Sequence, residues 1–157
     1  MILLEDTRNQ PGKHKNIEAY CKQVGIEIIR TKLLVGDYML AGDGGIKGDI
    51  ACDTKMGVPE IASNVFQEHD RFRRECETAQ KCGVKLIILI EENLPGGRLD
   101  LWRSPVDRDG RPKYRFDPSR LRKAMYTMQD KYGVAFRFCD GRSTGKELIE
   151  YLRGEKK

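Results

Sequence analysis

The segment Val84-Lys85-Leu86-Ile87-Ile88-Leu89-Ile90 constrains this chain more than any other. It is β-branched and nearly continuous in apolar residues, the pattern of a strand covered on both faces of its sheet. The flanking sequence supplies elements to cover it. Met1 to Glu5 reads as a short buried strand. Lys13 to Val24 carries Ile17, Tyr20, Cys21 and Val24 on one helical face and is closed by Gly25. Ile26 to Thr31 predicts a second strand, and Tyr38 to Ala41 with Ile46 to Lys55 predicts a hairpin around the Gly-rich turn 41–45. Pro59 suits the first turn of a helix containing Ile61, Ala62 and Val65. A longer helix is predicted from about Gln67 to Lys81, stopped by Cys82-Gly83. Leu94 to Asp117 reads as an ordered loop or insertion. Helix, strand and helix are then expected over Pro118–Lys131, Val134–Cys139 and Ser143–Leu152, with Ser143 as an N-cap. The order β-α-β-β-β-α-(α)-β-loop-α-β-α predicts an α/β fold, a mixed sheet flanked by helices. At 157 residues the chain fits one domain, 1–157, with a basic loop at about 94–117.

The predicted hairpin carries the chemistry. Gly36-Asp37-Tyr38 is followed by Ala51-Cys52-Asp53-Thr54-Lys55. Residues at i and i+2 of a strand project to one face, so Asp53 and Lys55 share a side. The hairpin brings Asp37 from the partner strand toward them. Two carboxylates can hold a hard cation such as Mg²⁺, which binds through one or two carboxylates plus substrate phosphate oxygens. A lysine beside them can position a water and offset developing charge. The residues alone equally describe a solvated hairpin whose Lys55 pairs with Asp53.

Composition decides what such a site would meet. The net charge is +5, which suits a polyanionic partner without demanding one. Five cysteines, at 21, 52, 76, 82 and 139, form no CxxC pair and no zinc spacing, as expected of reduced cysteines in a cytoplasmic protein. Nothing resembles a signal peptide or a membrane span, so no membrane partner is expected.

The hairpin motif resembles the GD…ERKxxxD signature of XPF-type structure-specific endonucleases, a branch of the PD-(D/E)xK, restriction-endonuclease-like fold. Asp6-Thr7-Arg8 is similar to the family's D-x-R-E segment. His69-Asp70-Arg71-Phe72 lies where the family has G-R-[LF], and Leu86 to Glu91 resembles its LLIE strand and trailing acid. Asp53 stands in place of the family glutamate, Thr54 in place of its arginine, and Pro59 in place of the last aspartate, with Glu60 one residue on. The resemblance implies a Mg²⁺- or Mn²⁺-dependent DNA endonuclease acting on branched, flap or junction DNA in repair, recombination or phage DNA processing. It implies metal binding by Asp37, Asp53 and the Thr54 carbonyl, products with 5′-phosphate and 3′-hydroxyl ends, and a homodimer. The alternative is a DNA-binding or scaffold module of the same fold that has lost activity. A sequence-specific restriction-type enzyme is a third reading.

Further residues are assigned by position. Asp6 serves a second metal or orients Lys55, or else pairs with Arg8 at the surface. Glu60 substitutes for the missing acid, or is a first-turn acid favoured by the helix dipole. Arg8, Arg71, Arg73 and Arg74 are expected at phosphates; for the last three the alternative is helix-face pairing with Glu75 and Glu77. Between Arg98 and Arg115, six basic residues including Arg103 and Arg111 interleave with Trp102 and Tyr114, a pattern suited to phosphate contact and base stacking. Trp102 equally suits an anchor packing that loop onto the body. His14 and His69 read as polar surface residues. Gly141-Arg142-Ser143-Thr144-Gly145-Lys146 lacks the phosphate-loop spacing, which excludes nucleotide binding there.

Overall fold

Alternate residues of a strand face opposite sides of its sheet, and in this chain each side has its own set of helices. The computed structural model describes residues 1–42 and 45–157. Its strands are β1 (Ile2–Asp6), β2 (Glu27–Thr31), β3 (Tyr38–Gly42), β4 (Gly45–Lys55), β5 (Lys85–Glu91) and β6 (Ala135–Cys139). Its longer helices are α1 (Lys15–Val24), α2 (Val58–Phe66), α3 (His69–Lys81), α4 (Pro118–Tyr132) and α5 (Thr144–Leu152). Among the described residues the strands form one sheet in the order β2-β1-β3-β4-β5-β6. β1 and β4 run antiparallel to β3 on either side of it, while β4, β5 and β6 are parallel. This is the mixed, helix-flanked restriction-endonuclease-like sheet the sequence predicts. Of the expected Gly-rich turn, residues 43 and 44 lie outside the described residues.

β5 lies between β4 and β6, where its apolar run places it. Leu86, Ile88 and Ile90 pack on the side of α2, α3 and α4, against Val58, Ile61, Phe72, Cys76, Leu121 and Met125. Ile87 and Leu89 pack on the other side, with Ile17 and Cys21 of α1 and Leu148, Ile149 and Leu152 of α5. All five are nearly fully buried, each contributing on the order of 2 kcal/mol. The same parity sorts the end of β4. Ala51 belongs to the α2-α3-α4 side and Cys52 to the α1-α5 side, so Asp53 and Lys55 fall with the first and Thr54 with the second.

The loop 94–117 contains short 3₁₀ turns at Pro95–Gly97 and Leu99–Leu101 and a bridge between Val106 and Pro112. Trp102 anchors it. Its ring is buried and stacked on Phe116 at 5.1 Å, and its Nε1–H donates to Glu92 (3.2 Å).

Two expectations are corrected. Ser143 sits at the start of α5 but does not cap it, because its hydroxyl donates to the Asp140 carbonyl (2.9 Å) in the preceding turn. His14 is not a surface residue; it is buried, with its ring edge-on to Tyr38 (5.9 Å).

α1 and α5 meet at Gly145, where a Cβ would lie 2.6 Å from Tyr20 Cβ and 3.1 Å from the Asn16 carbonyl. Gly145→Ala therefore overpacks a backbone contact, outweighing alanine's helix preference. It is expected to cost about 2 kcal/mol in urea unfolding, and an unchanged midpoint contradicts that packing.

Candidate active site

The carboxyl ends of β1 and β4 and the start of β3 converge at one end of the sheet, beside α3. The Asp6 N–H donates to the Asp37 carbonyl, and the Asp37 N–H to the Cys52 carbonyl, both at 2.8 Å. These bonds set Asp37, just before β3, against the last residues of β4. Gly36 makes the approach possible. Its φ of +72° is left-handed, and a Cβ there would sit 3.0 Å from the Cys52 carbonyl oxygen.

Asp37, Asp53, Thr54 and Lys55 line one cleft of about 400 Å³, together with Arg8, Lys13, Arg71, Arg74 and Glu75. Asp53 and Lys55 form an ion pair of 2.9 Å, both side chains close to fully buried. Lys55 Nζ also lies 5.8 Å from the centre of the Phe72 ring. Burial pushes the Asp53 carboxyl well above the usual range; Lys55 opposes this, and the neighbouring Asp37 and Glu75 carboxylates add to it. For Lys55, burial lowers the pKa, but Asp53, then Asp37 and Glu60, more than reverse this and hold the ammonium above the ordinary lysine range.

Asp37 is oriented from the other side of the sheet. Its Oδ2 accepts from the Thr54 backbone N–H (2.9 Å) and hydroxyl (2.8 Å). The Thr54 hydroxyl proton is thereby engaged, so the His14 Nε2 at 3.1 Å from Thr54 Oγ1 is the donor to it. Burial, followed by the charge of Lys13, depresses the His14 pKa, which keeps the ring neutral and consistent with that tautomer. A relay thus runs from His14 through Thr54 to Asp37.

Glu75, expected in a helix-face pair with the neighbouring arginines, instead lines the cleft. Its Oε1 accepts from the Gly36 N–H (3.0 Å). Its signal is spacing: Arg71, Arg74, Glu75 and Thr78 stand at i, i+3, i+4 and i+7 of α3 and share the face that lines the cleft. Removing the acceptor in Glu75→Ala is expected to lower about tenfold the DNA cleavage that the sequence resemblance implies, a typical effect of losing an orienting contact, whereas Glu75→Gln keeps an acceptor and most of the rate. Equal losses in the two variants count against a positioning role.

The remaining predicted residues divide. Asp6 is buried. Its carboxylate accepts from the Arg8 guanidinium (2.8 Å from both oxygens), the Arg8 N–H (2.7 Å) and the Leu33 N–H (2.8 Å). Burial raises its pKa, but these bonds from Arg8 and Leu33 outweigh that and hold it below the carboxylate range. Asp6 thus fixes Arg8 at the cleft. Arg71 and Arg74 line the cleft and Arg73 does not; Arg73 lies near Asp70 and Glu77, each at 3.7 Å. The Glu60 carboxylate accepts from the Met56 N–H (2.6 Å) at the start of α2 and is absent from the cleft lining. Arg103 donates to the Asp100 and Trp102 carbonyls, and neither it nor Arg111 reaches the cleft. Glu91 accepts from Asn16 (3.0 Å) instead of facing the site. His69 is exposed and outside the lining.

Among the described residues no three His, Cys, Asp or Glu side chains group closely enough to cage a metal by themselves. Mg²⁺ does not require that, since it keeps several waters and uses one or two carboxylates with substrate phosphates. Asp53 Oδ2, buried and carrying only the Lys55 ammonium at 2.9 Å, and the adjacent Asp37 carboxylate fit such an ion. No helix among the described residues is long and apolar enough to cross a membrane.

Comparison with known proteins agrees with this architecture. No curated protein matches the chain. XPF from Aeropyrum pernix shares the fold, with a TM-score of 0.67 and 19% identity over 99% of this chain and 65% of that one. A second structure of XPF from Aeropyrum pernix, in complex with DNA, matches with a TM-score of 0.66 and 19% identity over 98% of this chain and 64% of that one. The chain thus spans slightly less than two thirds of those structures. Residues 6–152 match the ERCC4 domain, and this chain belongs to the ERCC4 domain family.

Proposed function

We propose that this chain is a divalent-metal-dependent DNA endonuclease acting on branched, flap or junction DNA. The observation that carries the reading is the meeting of Asp37, Asp53 and Lys55 in one cleft rimmed by Arg8, Lys13, Arg71 and Arg74. Family membership and the DNA complex of a protein of the same fold support it. Asp37, Asp53 and the Thr54 main-chain carbonyl would hold Mg²⁺ or Mn²⁺. When bound, the ion polarises a phosphate and lowers the pKa of a coordinated water. Lys55, kept cationic by Asp53, orients the attacking water and offsets charge that develops on the phosphate. The four rim cations neutralise flanking phosphates and fix the backbone in register. The His14-Thr54 relay holds Asp37 in one rotamer, so that ligand geometry is set before DNA arrives. A homodimer belongs to the same reading and is measured by sedimentation.

One observation favours the rival, an inactive DNA-binding module. Pro59 stands where the family carries its last aspartate, and Glu60 is engaged at Met56. A cleavage panel of nicked, flap, four-way and linear duplex DNA in Mg²⁺ and Mn²⁺ separates the two. The nuclease cuts at least one branched form in preference to linear duplex. Intact DNA binding with no cleavage in either metal selects the rival, and cutting of one fixed sequence in linear duplex selects a restriction-type enzyme.

A further inference from the structure

A second groove, of about 690 Å³, lies on the far side of α2 from the cleft, between that helix and residues 113–120. Asn64 of α2 faces the hollow beside Lys55, Arg71 and Glu75, whereas Pro59, Ala62, Ser63 and Phe66 face the groove.

Its walls combine aromatic rings with cations. Phe66 and Phe116 lie 6.5 Å apart at a tilt of 48°, and the Arg120 guanidinium sits 5.0 Å from the Phe66 ring centre. Phe116 is held from behind by its stack on Trp102. Tyr114 is 44% exposed at the lip, without an aromatic or cationic partner among the described residues. Lys113, Arg115 and Arg120 face one acid, Asp117, whose carboxylate is engaged as the N-cap of α4 by the Ser119 N–H (2.9 Å). The groove therefore has a surplus of positive charge, a free aromatic face and a rigid floor. An acidic peptide would complement the charge but leave the aromatic face without a flat partner; a nucleotide strand complements both.

We propose that this groove binds unpaired nucleotides of a DNA strand, a base stacking on Tyr114 and phosphates pairing with Lys113, Arg115 and Arg120. It deepens the nuclease reading by giving a strand that leaves the cleft a place to go, and it rests on that reading only for the identity of the nucleic acid. Of the basic segment 98–115, this assigns the strand contact to its last residues and not to Arg103 or Arg111.

The test is fluorescence anisotropy of the full chain with labelled oligo-dT and with a blunt duplex, in EDTA so that nothing is cut. Tyr114→Ala is expected to weaken oligo-dT binding about tenfold and to leave duplex affinity within twofold. Arg115→Glu with Arg120→Glu weakens it further and flattens its salt dependence. These side chains are exposed, and thermal melts verify that the variants fold. Oligo-dT binding unchanged in both variants overturns the proposal, as do equal losses on oligo-dT and duplex. A wild-type dimer in sedimentation that Tyr114→Ala dissociates also overturns it, identifying the groove as a self-association face. The cleavage panel is read separately. A wild type that binds oligo-dT through Tyr114 but cuts no DNA defeats the nuclease reading and leaves the groove standing.

Discussion

Asp53→Asn is expected to lower metal-dependent DNA cleavage by on the order of 10³-fold or more, about 4 kcal/mol of transition-state stabilisation. The substitution keeps the shape of the side chain and one acceptor oxygen. It removes the negative charge that a divalent cation requires deep in the cleft, where Asp53 is 4% exposed. Binding of DNA in EDTA should be unchanged or slightly tighter, because the rim of Arg8, Lys13, Arg71 and Arg74 is untouched and one repulsive charge is gone. Cys76→Ala, on the core side of α3, serves as the control that leaves the cleft intact. Cleavage of a flap substrate at saturating Mg²⁺ decides the matter. Activity within tenfold of wild type would show that Asp53 is a structural acid.

Lys55→Met is the second large effect, and its pH dependence separates the electrostatic from the packing contribution. Methionine keeps most of the volume against Phe72, so the loss is mainly that of the charge. Removing one partner of a buried pair leaves the other uncompensated, a cost of about 3 kcal/mol near pH 8. Asp53 is the group left behind, with Asp37 and Glu75 beside it. Its folded-state pKa is already raised by burial and rises further without Lys55. Between the unfolded carboxylate value of about 4 and that raised value, the folded protein binds more protons than the unfolded chain. Stability in this window therefore falls as pH rises. Wild type shares this fall, because its own Asp53 is raised too, so the deficit of Lys55→Met relative to wild type opens only above the wild-type Asp53 value: it is expected to be small near pH 4 and to grow toward pH 8. Mg²⁺ or Ca²⁺ should restore more stability to this variant than to wild type, since the cation takes over the role of the missing ammonium. Urea unfolding from pH 4 to 8, with and without Ca²⁺, measures both effects. A deficit that does not change with pH contradicts the charge argument.

What the sequence made legible follows from which interactions are local. β5 could be read because five consecutive apolar residues, Leu86 to Ile90, fit a strand covered on both faces, and α1 because Ile17 and Cys21 repeat on one face and Gly25 ends it. The pairing of Asp53 with Lys55 was open to the same reasoning, since strand alternation puts i and i+2 on one side whatever the rest of the chain does. His14 and Glu75 were not legible from local pattern in the same way. His14 lies in an exposed-looking basic stretch, Gly12-Lys13-His14-Lys15, and is buried where the chain entering α1 lies against Tyr38 and Thr54, the latter at 3.1 Å. Glu75 stands four residues after Arg71, a ready i, i+4 partner, yet it turns to the Gly36 N–H, 39 residues away in sequence. Ser143 shows the converse. Residue type suggests a cap, but the carbonyl of Asp140 in the same turn takes its hydroxyl. Contacts closed by the sheet register or by a helix crossing are therefore the ones that sequence pattern misses, and in this site they hold the chemistry in place.

The most direct measurement is anomalous diffraction from crystals of the wild-type chain soaked in Mn²⁺. The account predicts a peak in the cleft within coordination distance of both the Asp37 and Asp53 carboxylates, and its loss in Asp53→Asn. A cleft without manganese, in crystals where the ion binds elsewhere on the protein, would contradict it.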